Sequence, residues 1–205
     1  SICLMENLEL STIINLLTVL AIAATVAGFM AGLLGGGGGI IMGPALYYAF
    51  SVLGFDIITR MHLSVGTSLA IIIPTSIIST KTHMEYEAVD FKMVKTFGGL
   101  IVLGVLGGTL LAVNLKTAAL VLFFAIFSCF VGLFFIFLRE KLVESPKKIS
   151  NTIKNISGLF IGFISVPLGI GGGSLMVPFM RTFGYDIRKS IGTAAAVGFL
   201  IALTG

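Results

Sequence analysis

The stretch "AGLLGGGGGIIMGP" (31–44) sets five consecutive glycines, Gly35 to Gly39, inside a long apolar run and follows them with Pro44. Glycine tolerates backbone conformations closed to other residues, and proline removes an amide donor. The stretch therefore reads as a break built into a hydrophobic segment. From Leu10 to Phe55, 46 residues, there is no Lys, Arg, Asp or Glu. As one helix that tract would reach roughly 69 Å, against a bilayer core of about 30 Å. It must fold as two elements joined at the glycines.

The rest of the chain extends the pattern. Of 205 residues, 57% are hydrophobic and 11% charged, and the mean hydropathy is +1.10; soluble domains carry roughly a quarter charged residues. Further uncharged tracts run over 61–80, 96–115, 117–138, 155–180 and 190–205, and most are long enough to cross a membrane. The fold class is an all-α polytopic membrane protein. Breaking the tracts at glycine and proline predicts helices over 11–34, 40–53, 62–80, 94–113, 117–138, 155–168, 174–185 and 190–205. The net charge of +4 sits in the connecting loops without interleaved aromatics, which excludes a nucleic-acid face. Cys3 and Cys129 are too few for a disulfide framework. Residues 1–9 lack the basic start of a cleavable leader, so the first apolar tract is expected to be retained.

The break recurs. "GFMAGLLGGGGGIIMGPAL" (28–46) aligns without gaps on "GFISVPLGIGGGSLMVPFM" (162–180), at an offset of 134 residues. Gly28 meets Gly162, Gly37 to Gly39 meet Gly171 to Gly173, and Pro44 meets Pro178. After small deletions "GFDI" (54–57) matches "GYDI" (184–187), and "SVGT" (64–67) matches "SIGT" (190–193). The chain is read as a duplication: a first transmembrane repeat over 10–138, a linker over 139–154, and an incomplete second repeat over 155–205. The first copy runs about 85 residues beyond "SVGT" and the second only twelve, which predicts a C-terminal truncation of two or three helices.

The linker holds five basic residues against two acidic and is assigned to the cytoplasm. Counting backwards puts the N-terminus outside, in agreement with the acidic "MENLEL", and puts Arg188 and Lys189 inside. With an odd number of spans per copy the repeats are expected to be inverted; a single net crossing by each glycine-linked pair would make them parallel.

At helical rise, 14 apolar residues before the second run place Gly169 to Gly173 roughly 21 Å deep. Irregular backbone at that depth must be buried in protein or line a wet cavity. Successive glycine amides can converge as a nest, and the following helix presents its positive end there. The prolines each free a carbonyl near Ile40 or Ser174. Two copies would aim two helix ends at one midplane cavity suited to an anion. Close helix packing through small residues explains the glycines equally well. A phosphate loop and a dinucleotide fingerprint both fail for want of their companion residues.

At these residues the sequence resembles the sulfite exporter TauE/SafE family of membrane transporters, through "GLLGGGGGIIMGPAL", "GIGGGSLMVPFM" and the "SVGTS"/"SIGTA" segments, from about residue 15 onward. The resemblance implies two similar halves and secondary transport of small anions, namely sulfite, organosulfonates or related sulfur-containing anions, across the bacterial inner membrane. The second copy departs from the first at Ser174 for Ile40 and Ala194 for Ser68.

The candidate substrate-binding residues are Gly35, Gly36, Gly37, Gly38, Gly39 and Pro44 in the first break, and Gly171, Gly172, Gly173, Ser174 and Pro178 in the second. Thr67, Ser68 and Thr193 are added as hydroxyls near helix starts; back-bonding to a carbonyl one turn earlier is their alternative. Arg181, roughly 12 Å beyond Gly173 along a helix, is added as an ionisable group at depth, with snorkelling as its alternative. Arg60 and His62 belong to the opposite mouth, and Asp56 and Asp186 are read as caps rather than proton carriers. The phenylalanine-rich 121–137 is read as lipid-facing. Lipid and a small anion are the expected partners; a coupling proton or sodium ion is left open. No cofactor, metal cluster or buried nucleophile with a base is present in the sequence pattern, so an enzyme is not expected. A non-transporting structural subunit is the alternative function.

Overall fold

The computed structural model describes residues 10–34, 38–137 and 149–205. These form α1 (Leu10–Leu34), α2 (Gly38–Val52), α3 (Ile57–Glu85), α4 (Phe91–Asn114), α5 (Thr117–Phe137), α6 (Asn151–Ser165), α7 (Gly173–Thr182) and α8 (Ile187–Thr204), with no strand among the described residues. Four are long and apolar enough to cross a membrane: Leu10–Phe29, Ile57–Glu85, Phe91–Asn114 and Ile187–Thr204. Gly39–Val52 and Thr117–Leu133 are apolar but shorter.

Helix ends differ from the charge-based expectation where polar caps extend them. Asp56 accepts a hydrogen bond from the Ile58 amide and starts α3 four residues before the uncharged tract. Asp90 does the same for α4 through Met93. A carboxylate at the cap satisfies an amide that the first turn leaves without a partner, so helices reach into the polar zone. Asp186 caps α8 through the Arg188 amide, and Gly54 and Gly184 adopt φ of 77° and 82° at matching points before the two caps. The "GFDI" and "GYDI" segments therefore build the same helix-to-helix turn. The second copy's deletion before "GYDI" falls within α7, which has 10 residues where α2 has 15.

Small residues set the packing. α4 and α6 run parallel and touch through glycines four apart on each. A Cβ at Gly104 would lie 2.1 Å from the Leu159 carbonyl oxygen, at Gly108 2.3 Å from that of Phe163, and at Gly162 2.2 Å from that of Ile101. Only a missing Cβ allows such approach. α3 and α8 lie antiparallel: Gly192, early in α8, meets Ala88 and His83 beyond and at the end of α3, while Gly205 meets Leu69 in its first half. Thr193 accepts from the Asp90 amide at 3.0 Å and ties α8 to the start of α4. Phe97, Ile101, Leu168, Ile170, Met176, Val197 and Ile201 fill the core between these helices. On α5, Leu120, Phe124 and Val131 are buried while Leu122, Ile126, Phe130 and Leu133 are exposed, so one face packs on the bundle and the other matches the lipid-facing expectation.

Candidate functional site

After Ser165 the chain leaves α6 in a tight turn. The Gly169 amide donates to Val166 O and the Ile170 amide to Ser165 O. Gly169 (φ +61°) and Gly172 (φ +71°) both adopt the left-handed conformation, which costs other residues roughly 1–2 kcal/mol. Gly172 is the N-cap of α7 and has no side chain to satisfy the first turn. Among the described residues, the amides of Gly171, Gly172, Gly173 and Ser174 donate to no backbone carbonyl; pairing resumes with Leu175 and Met176, which both donate to Gly172 O. All four residues are buried. Ser174 is 2% exposed and its hydroxyl has no partner. The result is a buried row of donors at the positive end of a helix.

The start of α2 comes to the same place. A Cβ on Gly39 would lie 2.5 Å from Gly169 O and 2.9 Å from Ile170 Cα, so the start of α2 touches the second break directly. α3 fixes this meeting: Ser68 donates to Gly169 O at 2.8 Å, and Val65 packs against the same glycine. Gly171 is wedged between Ile72 of α3 and Gly198 of α8.

Beside this junction lies a cavity of about 550 Å³. α1 contributes Ala24, Ala27 and Gly28, and α2 contributes Gly39 and Met42. α3 contributes Ser68, Ile71, Ile72, Thr75, Ser76, Ile78 and Ser79. Gly171 with Ala194, Ala195 and Gly198 of α8 completes the wall. No charged side chain lines it among the described residues. Ser68, Thr75, Ser76 and Ser79 share one face of α3, at helical spacing.

The predicted site residues divide accordingly. Gly39, Ser68 and Gly171 line the cavity, and Gly172, Gly173 and Ser174 follow directly in the donor row. Gly38 opens α2; Gly35, Gly36 and Gly37 lie outside the described residues. Pro178 is buried within α7, whereas Pro44 is exposed on α2. Thr67 and Thr193 are not on the cavity wall, and the Thr193 hydroxyl is engaged with Asp90. Arg181 sits in the last turn of α7, at the far end from the donor row, and donates to Tyr185 O at 3.3 Å. In the first copy Arg60 donates to the equivalent carbonyl, Phe55 O, at 2.8 Å, and also to Ser51 Oγ, with its guanidinium 5.6 Å from the Tyr47 ring. The two arginines brace the two equivalent turns. His62 Nε2 lies 3.1 Å from the carbonyl oxygens of Ala112 and Leu115, so it carries the proton and clamps α3 to the end of α4. Burial, then the Asp90 charge, push the Tyr185 phenol above its usual pKa.

Thr75, Ser76 and Ser79 were not anticipated, although their spacing from Ser68 carries the helical period. The α4–α6 glycine pairs were likewise present in the sequence without being assigned.

The sequence profile described as "Sulfite exporter TauE/SafE" matches residues 20–205. A "Probable membrane transporter protein" of Haemophilus influenzae is 32% identical over 191 residues, covering 90% of this chain and 70% of that protein. The "Probable membrane transporter protein YunE" of Bacillus subtilis is 28% identical over 212 residues, covering 91% and 76%. The "Probable membrane transporter protein MJ0441" of Methanocaldococcus jannaschii is 28% identical over 193 residues, covering 93% and 71%. No solved structure matches the chain.

Proposed function

Because the chain belongs to the sulfite exporter TauE/SafE family, whose curated relatives are named as membrane transporters, we propose that it is a secondary transporter of small anions, carried where its two glycine breaks meet. Sulfite, organosulfonates and related sulfur-containing anions are the substrates this reading assigns, and the bacterial inner membrane its location. The observation that carries it is the junction itself: Gly39 at the start of α2 and Gly171 of the second break bound one cavity, and four buried amides beside it have no backbone acceptor. Buried donors without acceptors are costly, and an anion is the ligand that satisfies several at once while meeting a helix's positive end.

The antiparallel course of α3 and α8, which start from equivalent caps, supports inverted copies. Inversion would give the cavity alternating access from two sides through similar movements. Ser174 would add a hydroxyl to the row, and Gly37, by alignment with Gly171, would supply the first copy's amides.

The test is flux of sulfite, sulfate, thiosulfate and a sulfonate into proteoliposomes. Saturable flux of one of them is expected, abolished in Gly37→Val and Gly172→Val while membrane insertion is retained; a Cβ at Gly172 would lie 2.4 Å from Ile201 Cδ1. Wild-type flux in a correctly inserted Gly172→Val would overturn the site. Absence of flux for every anion from well-folded protein would favour a structural subunit.

A further inference from the structure

We propose that α3 is hinged at Pro74 and that its second half, residues 75–85, is a gate over the cavity. This rests on the transport reading above, because a gate is what gives a carried solute access from one side at a time.

The helix is interrupted near its middle. Its 29 residues reach about 43 Å at helical rise, with Pro74 inside. Proline supplies no amide to the Ala70 carbonyl and crowds it with its ring, so the backbone ladder weakens at that point. The next three carbonyls are taken up by side chains. Thr75 Oγ1 lies 2.9 Å from Ile71 O and 3.1 Å from Ile72 O, and Ser76 donates to Ile73 O at 3.0 Å. Hydroxyls bonded back in this way bend a helix. They also give partners to carbonyls that a bend would expose to lipid, where none other is at hand.

The two halves are held unequally. Before Pro74, Met61, Ser64, Val65, Ser68 and Leu69 are buried; Ser68 is bonded to Gly169 O, and His62 to the end of α4. Beyond Pro74 the one buried residue of α3 is Ser76, while Ile77, Ile78 and Met84 are exposed. The tip meets α8 at Gly192, where a Cβ would lie 3.1 Å from His83 Cβ. That contact has no side chain on the α8 side to interlock. A segment with few buried contacts opens at lower free energy than the core it is attached to.

The cavity straddles the pivot. Ile71 and Ile72 line it on the anchored side, and Thr75, Ile78 and Ser79 on the other. Bending at Pro74 moves the second group while the first stays fixed on the second break, where Ile72 packs against Gly171. α8 completes the wall with Ala194, Ala195 and Gly198. It carries Leu200 at the repeat position of Pro74, so its ladder is unbroken there and it serves as the fixed wall.

The experiment is pulsed electron paramagnetic resonance on the full chain in proteoliposomes, spin-labelled in a background without Cys3 and Cys129. The pair Ile77→Cys with Leu103→Cys follows the second half of α3 against α4, and Leu63→Cys with Leu103→Cys follows the anchored half. These three positions are exposed and line no part of the cavity. Two distances are expected for the Ile77 pair and one for the Leu63 pair. Pro74→Ala, which restores the bond to Ala70 O, should collapse the Ile77 pair to one distance and leave the Leu63 pair unchanged, the sign of an intact fold. Pro74→Leu, the residue that α8 carries, replaces it if the alanine variant disturbs the Leu63 pair. A single Ile77 distance in the wild type, as narrow as that of the Leu63 pair, overturns the gate. Two distances that persist in both variants overturn Pro74 as its pivot. Anion flux into the same proteoliposomes separates the two readings: a collapse of distances without flux in the wild type upholds the hinge and rejects transport, and flux with a single wild-type distance does the reverse.

Discussion

Gly39 has no room for a side chain, because any Cβ there would overlap the backbone of Gly169 and Ile170. Gly39→Ala should therefore push the two breaks apart and lower stability by roughly 1–3 kcal/mol, the usual range for overpacking, read as a fall in melting temperature in detergent. Gly28→Ala is the control, since a Cβ at Gly28 meets nothing within 4 Å; its stability should stay within about 0.5 kcal/mol of wild type. Ser68→Ala strands the buried Gly169 carbonyl and is expected to cost about 1–3 kcal/mol, with loss of flux exceeding what the reduced folded fraction accounts for. At this scale the sequence was partly legible. Glycine and proline mark a break on their own, but the role of a hydroxyl depends on which carbonyl it reaches. Ser68 reaches across to another copy of the repeat, and no local rule predicts that.

The helices carry a second set of expectations. Asp56 and Asp186 hold equivalent N-caps, so Asp186→Ala should cost about 0.5–2 kcal/mol. Asp186→Asn should restore most of it, because asparagine caps as well as aspartate. The same pair separates capping from proton carriage: flux retained in Asp186→Asn fits a cap, and flux lost in a stable Asp186→Asn would make the carboxylate a proton carrier. Element type and order were readable from charge-free tracts. Element ends were not, because a cap such as Asp56 or Asp90 lets a helix run through residues that look like loop. α3 begins at Ile57 and α4 at Phe91 for this reason.

Across the whole molecule the two copies occupy unequal surroundings. Gly162 of α6 sits on the Ile101 carbonyl of α4, while its counterpart Gly28 on α1 faces open space; Gly192 of α8 abuts Ala88, while its counterpart Gly66 on α3 meets nothing within 4 Å. Leucine at Gly104 or Gly162 should unfold the α4–α6 pair and leave little soluble monomer in detergent. Leucine at Gly28 should leave the protein monodisperse, a contrast that size-exclusion chromatography can read. Topology can be tested at the same scale. In a background without Cys3 and Cys129, inverted copies predict that an impermeant thiol reagent labels Phe55→Cys and Arg188→Cys from opposite sides of the membrane; labelling from one side would show parallel copies.

By itself the sequence determined that the chain is helical and membrane-embedded, and that a glycine run followed by proline recurs in its apolar tracts at an offset of 134 residues. Each of these follows from local chemistry: twenty uncharged residues must cross or be buried, and a run of glycines favours a helix boundary. Only the tertiary structure decided that the start of α2 touches the second break, that Ser68 pins that break, and that Thr75, Ser76 and Ser79 share the cavity while Thr193 and Arg181 do not. Those outcomes depend on the antiparallel docking of α3 on α8 and the glycine-mediated approach of α4 to α6, contacts between residues far apart in the chain whose pairing no single stretch of sequence encodes.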